Sequence, residues 1–317
     1  MLNNIDNQNF KLIMPIIEKN IPLIFKNISY IFENVNPKKI ILIGPNRLSN
    51  KFLMYDKVEF VDENKLINGL DLLKVKSILK ERINSCDRSG WYFQQFLKMG
   101  YSYLCTEEAY IVWDADTIPL NGISLIDKKT NKFLFTMKKE FHKPYFNTIN
   151  KLFDGYISKF NEKSFIAEHM IIDKKIMLEM IEKIENNKRL KGNKFYEKIL
   201  YAIDKNDLNK SGFSEFETYG NFVMRFHKNK YRFRELKTLR EGIKYLGENP
   251  TEKKLKWAKE SYDIISIESS DQISKFSILC NNNFFSNHYS LRTIVEIRNT
   301  IRSIYRKCTG KSGIDFD

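Results

Sequence analysis

The first third of the chain alternates short apolar runs with longer stretches of helical periodicity, and no other feature of the sequence narrows the fold as far. A short run that is apolar throughout makes a strand buried on both faces, and the helical stretch after it supplies the crossover that a parallel sheet requires. Residues 10–15 read as a first strand, closed by Pro15. Residues 22–35 read as a helix with Leu23, Ile24, Ile28, Ile31 and Phe32 at helical spacing and Pro37 as its stop. Residues 39–43 form a second apolar run with a Gly44-Pro45-Asn46 turn behind it, and residues 58–62 a third. An aromatic-rich helix is expected over 90–99, ended by Gly100, and then strands over 109–113 and 133–137. Beyond these the texture is more helical, with a basic amphipathic segment over 174–187. From residue 290, Ile294, Ile297, Ile301, Ile304 and Tyr305 recur at helical spacing beside Arg298, Arg302, Arg306 and Lys307. The pattern predicts an α/β fold with a mainly parallel central sheet flanked by helices and a helical C-terminal extension.

With 317 residues and 42% hydrophobic content, the chain can bury a full core. Lys plus Arg number 53 against 39 Asp plus Glu, and the resulting charge of +14 favours anionic partners without choosing among nucleotides, phospholipid headgroups and nucleic acid. Cys86, Cys105, Cys280 and Cys308 stand far apart with no C-x-x-C pair, which argues against a disulfide framework or structural zinc and suits a reducing cytoplasm. The start lacks a basic region followed by an apolar one, and no stretch reaches the length of a membrane span. A cytoplasmic protein is expected, soluble or peripheral at the inner face of the membrane.

The apolar run Tyr110-Ile111-Val112-Trp113 leads directly into Asp114-Ala115-Asp116, with Thr117-Ile118-Pro119 as a fixed exit. Open α/β sheets bind ligands at the carboxyl ends of their strands, so both carboxylates stand where a ligand would sit. Two carboxylates one residue apart can hold Mn²⁺ or Mg²⁺, which completes its shell with substrate phosphates and water. Such an ion neutralises a departing diphosphate as a Lewis acid. The tripeptide also arises by chance in acidic loops, and its place at a strand end is what distinguishes it here.

Residues 110–120 resemble the D-x-D strand of GT-A glycosyltransferases. Just upstream, Ser89-Gly90-Trp91-Tyr92-Phe93-Gln94-Gln95-Phe96-Leu97-Lys98 is similar to the G-W-x-x-Q-Q-x-x-K helix of bacterial transferases encoded with O-antigen and capsule genes. The resemblance implies a Rossmann-like nucleotide-sugar half over residues 1–137 and an acceptor-binding and catalytic half over 138–289. It places the helix beside the donor, which makes Arg88 and Gln94 donor-side candidates with Asp114 and Asp116, while Trp91 and Tyr92 pack. It further implies transfer of a sugar from a nucleotide-sugar, with UDP favoured, to a hydroxyl of a lipid-diphosphate-linked or oligosaccharide acceptor in surface polysaccharide synthesis. A C-terminal histidine serves as a further metal ligand in many GT-A enzymes, and His288 is the candidate on that analogy. The alternative for His288 is an ordinary hydrogen-bonded histidine.

An inverting transfer needs a general base, and Asp or Glu is the usual choice for a sugar hydroxyl. Residues 165–173 read as a loop carrying Glu168 and His169 into a short strand, and these two are the acceptor-binding candidates. Ser214-Glu215-Phe216-Glu217-Thr218-Tyr219-Gly220 resembles a segment at the same place in those transferases. Glu217 is the first candidate base and Glu215 the second. If Ser214 caps a helix, Glu217 falls at its third position and a capping box accounts for the spacing without chemistry. His227, beside Arg225 and Lys228, is a further candidate for contact with diphosphate.

The C-terminal stretch over 290–317 has the composition of a helix lying on an anionic membrane surface, and equally that of a packed terminal helix with snorkelling arginines. A nucleic-acid-binding protein would account for the charge, but the basic residues are spread evenly and no binding motif is present, so no nucleic-acid partner is expected. A metal-dependent nucleotidyl- or phosphoryl-transfer enzyme would also use paired aspartates. It would want a glycine-rich phosphate loop, for which Gly44-Pro45-Asn46-Arg47 is a poor substitute.

Overall fold

In the computed structural model, which describes residues 6–160, 162–268 and 277–309, strands and helices alternate as the periodicity predicts. The chain opens with β1 (Leu12–Pro15), α1 (Ile21–Asn34), β2 (Ile40–Gly44), β3 (Val58–Asp62), α2 (Leu72–Ile83), α3 (Ser89–Gly100) and β4 (Ala109–Trp113). It continues with β5 (Thr117–Pro119), β6 (Ile126–Asp127), β7 (Lys132–Thr136), α4 (Lys143–Leu152), β8 (His169–Asp173), α5 (Lys174–Asn186), α6 (Phe195–Ala202), α7 (Lys205–Leu208) and α8 (Glu215–Phe226). It closes with β9 (Tyr231–Arg234), β10 (Thr238–Leu239), α9 (Ile243–Leu246), α10 (Glu252–Lys259), β11 (Ile264–Ser266), α11 (Ser277–Asn281), α12 (Asn283–His288) and α13 (Leu291–Thr309). None of the described helices is long and apolar enough to cross a membrane.

These elements form two compact units, one comprising Met1–Glu18, Pro37–Asp114 and Ser124–Glu235, the other Lys19–Asn36, Ala115–Ile123 and Leu236–Asp317. They cut across the contiguous halves expected with boundaries at 137 and 289. In the first unit the central sheet has the order β3-β2-β1-β4-β8, parallel except for the last pair, β4 with β8. Leu12, Ile13, Met14, Ile40, Leu42, Ile111 and Val112 in its three middle strands are completely buried, as all-apolar strands must be when both faces are covered. The strand expected over 133–137 is present as β7 but belongs to a separate small sheet, β6-β7-β9, where Phe135 stacks on Tyr231 with ring centroids 4.0 Å apart.

Gly100 does not stop α3 by adopting a left-handed conformation. Its φ is −69°, and the chain runs on into a further turn at Tyr101–Tyr103. Close approach is what requires glycine there: a Cβ would stand 2.0 Å from the Ile67 side chain.

The second unit is built on the sheet β10-β11-β5. Leu23 of α1, Ile118 and Leu120 of the β5 segment, Leu255 and Trp257 of α10, and Leu291 and Ile294 of α13 share one apolar cluster. The start of α13 is therefore a packed helix. Arg298, expected on a flank facing lipid headgroups, is fully buried, with its guanidinium 3.2 Å from a Glu241 carboxylate oxygen and over the Tyr245 ring. Ile297 and Ile304 are exposed, and residues 310–317 of the expected 290–317 stretch lie outside the described residues.

Candidate functional site

The strand order of the central sheet reverses at β1: the chain moves outward through β2 and β3, then returns to place β4 on the other side of β1. The carboxyl ends of β1 and β4 thus flank a topological switch point, the place where open parallel sheets leave a crevice for a ligand. β1 ends at Pro15, and β4 ends at Trp113, after which Asp114 emerges with its side chain 32% exposed. At the neighbouring end of β2, Gly44 allows the chain to approach β1 closely, because a Cβ there would stand 2.9 Å from the Ile16 carbonyl oxygen. Beyond β3, burial and the adjacent Asp62 charge push the Glu63 carboxyl up to about 7.

Asp114 is anchored from within. Lys98 of α3 is buried, and its ammonium donates to Asp114 Oδ1 at 2.7 Å and to Glu215 Oε1 at 2.8 Å. Burial works against the Lys98 charge, yet the two carboxylates outweigh it and hold the ammonium above the usual lysine range. Gln95, one turn earlier on α3, accepts a hydrogen bond from the Glu215 backbone N–H at 3.0 Å, satisfying a donor that the start of α8 leaves without an intrahelical partner. Glu215 is the first residue of α8, where a negative charge complements the helix dipole. One ammonium between two carboxylates leaves a net negative charge, and the half-exposed Asp114 presents it towards the switch point.

Glu168 directly precedes β8, and His169 opens it, pairing in register with Trp113. The Asp114 backbone N–H donates to the Glu168 carbonyl at 2.9 Å, so these acceptor candidates are adjacent to Asp114 along the ladder. Both are buried. Lys138 forms an ion pair with the Glu168 carboxylate, and the His169 ring stacks on Trp113 with centroids 4.9 Å apart. Arg234 donates to His169 Nε2 at 3.0 Å, which makes Nε2 the acceptor and puts the proton on Nδ1. Burial, then the charges of Arg234 and Lys138, holds the imidazole far below its ordinary value, so His169 is neutral.

Glu217 is 1% exposed. Its carboxylate accepts from Ser164 Oγ at 2.7 Å, the Phe165 backbone N–H at 3.0 Å and Asn221 Nδ2 at 3.1 Å. Burial raises its pKa against those three donors. Ser214 caps α8 by accepting from the Glu217 backbone N–H, but the Glu217 carboxylate turns to Ser164, Phe165 and Asn221, so the reciprocal half of a capping box is not formed. Glu215 and Glu217 diverge on the helix, as residues two apart must. Arg88 is tied to the Lys210 carbonyl and lies over the Trp91 ring, and Gln94 is half-buried on α3. His227 pairs with Glu179 at 2.7 Å.

Asp116 belongs to the second unit, where its carbonyl accepts from the Ile267 backbone N–H and its half-buried carboxylate accepts from Thr117 Oγ1 at 3.3 Å. His288 is exposed on α12, and its Nδ1 donates to the Phe284 carbonyl at 2.7 Å. Among the described residues no three His, Cys, Asp or Glu side chains gather as a metal-holding group.

Lys138 and Arg234 lie outside every motif of the sequence, while Gln95 and Lys98 stand in the G-W-x-x-Q-Q-x-x-K helix without an assigned role. Lys98 and Gln95 did carry a local signal, as polar residues among the buried Tyr92, Phe93, Phe96, Leu97 and Met99 of an otherwise apolar helix.

A family model described as "Family of unknown function (DUF6492)" matches residues 21–285. No curated protein matches the chain. Among solved structures, the chain is similar to the apo form of the WbbM bifunctional glycosyltransferase, at 11% identity and a TM-score of 0.41 over 93% of this chain and 52% of that one. It is also similar to apo mouse xyloside xylosyltransferase 1, at 12% identity and a TM-score of 0.40 over 83% of this chain and 99% of that one. The chain thus spans about half the length of WbbM. At these scores neither likeness decides function, which is left to the side chains.

Proposed function

The chain belongs to DUF6492, a family of unknown function, and on that premise we propose that it is a glycosyltransferase taking a nucleotide-sugar donor at the carboxyl ends of β1 and β4. The observation that carries the proposal is Asp114: a half-exposed carboxylate at the switch point of a parallel-rich sheet, fixed by a buried lysine. A site for a nucleoside diphosphate needs a place for a cation and a rigid carboxylate to hold it, and Lys98 supplies the rigidity.

In this proposal Asp114 and Asp116, two residues apart along the chain, hold Mn²⁺ or Mg²⁺ against the donor diphosphate. The ion supplies Lewis-acid stabilisation of the leaving nucleotide. Lys98 and Glu215 act as positioning residues that keep the Asp114 side chain in one rotamer, and the β4–β8 ladder fixes its backbone. Glu217, or Glu215 after it, as the general base of an inverting transfer belongs to the same proposal, with the Glu217 carboxylate held by Ser164, Phe165 and Asn221. An acceptor hydroxyl on a lipid-diphosphate-linked or free saccharide, and attachment to an anionic membrane surface through the exposed Ile297 and Ile304 of α13, belong to the same proposal.

Titration of the purified chain with UDP and GDP, with and without Mn²⁺, tests it. Metal-dependent binding is expected, weakened at least about tenfold in Asp114→Asn, which corresponds to about 1.4 kcal/mol. Slow hydrolysis of a panel of UDP-, GDP- and dTDP-sugars should then release free sugar and nucleoside diphosphate. Release of sugar phosphate and nucleoside monophosphate would instead assign a phosphoryl- or nucleotidyl-transfer enzyme, and metal-independent binding indifferent to Asp114 would overturn the site.

A further inference from the structure

The second unit contains a cavity of about 410 Å³, within the size range of small-molecule sites. One wall is α10, where helical spacing sets Lys253, Lys256, Trp257 and Glu260 on one face, with Lys254 beside them. Asn281 and Asn287, from α11 and α12, line the other side. Three lysines against one acid make the lining net positive.

Lys254 is half-buried, and its ammonium donates to the Leu246 carbonyl at 2.9 Å, a neutral acceptor. No carboxylate pairs with it among the described residues. Burial accordingly holds its pKa below the usual lysine value. Lys98 and Lys138 of the first unit instead face carboxylates directly, whereas the buried Lys198, like Lys254, donates to a backbone carbonyl, that of Asn187. A cation drawn partly out of water with no counter-charge gains from an arriving anion what Lys98 and Lys138 already have. Lys256 is exposed and adds a second ammonium to the same wall. Trp257, mostly buried in the apolar cluster, borders the cavity and donates its indole N–H to the Tyr289 carbonyl at 3.0 Å. The exposed amides of Asn281 and Asn287 each offer both donor and acceptor, the complement of a hydroxyl.

We propose that this cavity binds a phosphorylated saccharide, its phosphate towards the lysine-bearing wall of α10 and its hydroxyls towards Asn281 and Asn287. Every lining residue belongs to the second unit, so the site does not rest on the donor reading of Asp114.

Calorimetric titration of the full chain with glucose 1-phosphate, glucose and inorganic phosphate tests the proposal. Glucose 1-phosphate should bind at least about tenfold more tightly than either of the others, because it alone engages both sides of the cavity. Lys254→Gln with Lys256→Gln should weaken it by a further factor of about ten or more, while Asp114→Asn leaves it unchanged. Lys256→Gln alone, at an exposed position that folding does not need, should weaken it about threefold or more. Equal affinity for glucose or for inorganic phosphate would overturn the proposal. So would binding indifferent to both lysines, or binding lost in Asp114→Asn, which would move the ligand to the donor site.

Discussion

Lys98 carries one positive charge between two carboxylates in a place that water does not reach, with the Phe216 ring 4.7 Å from its ammonium. Removing one member of such a cluster is costly because the others remain buried and uncompensated. Lys98→Met keeps the length of the side chain and deletes the charge, leaving Glu215, whose side chain is 6% exposed, without its partner. The expected loss is about 3–5 kcal/mol in urea unfolding, and a loss below about 1 kcal/mol would show that the cluster is not desolvated. The sequence made Asp114 legible and left Lys98 without a role for the same reason. An aspartate directly after an apolar run announces its position locally. The partners of Lys98 stand 16 and 117 residues away, and no local spacing encodes them.

At the scale of elements, periodicity located β1 to β4, α1, α3, α5 and α13, because each buries a stripe or a run that repeats at its own period. Gly100 is the last residue of α3, where the apolar pattern ends, but the contact with Ile67 that requires glycine there is non-local. For α13, periodicity gave the stripe but not what covers it. The structure divides that helix: Leu291 and Ile294 pack into the second unit's core, whereas Ile304 is 56% exposed. Ile294→Ala should therefore cost about 2–5 kcal/mol by leaving a cavity. Ile304→Ser should change stability by no more than about 0.5 kcal/mol. Thermal or urea unfolding of the two variants separates them, and equal losses would mean that the distal part of α13 is packed as well.

For the whole molecule, the expected boundaries at 137 and 289 assumed that each half is a continuous stretch of chain. Hydrophobic periodicity reports that an element buries a face but not which core receives it, so it cannot reveal a unit assembled from separate stretches. The second unit is such a case, since α1 and the β5 segment join residues 236–317 to complete it. Leu23, Ile118 and Leu120 are three members of its apolar cluster, and β5 is the antiparallel partner of β11 in its sheet. A fragment of residues 236–317 therefore lacks part of its core and exposes an unpaired edge of β11. Its remaining apolar contacts are too few to offset the conformational entropy of ordering a chain of that size. The isolated fragment should show little helical signal by circular dichroism and no cooperative melting transition. Co-expression with residues 1–235, which carry the missing helix and strand, should recover both. A cooperative transition in the fragment alone would show that the second unit folds without the earlier stretches.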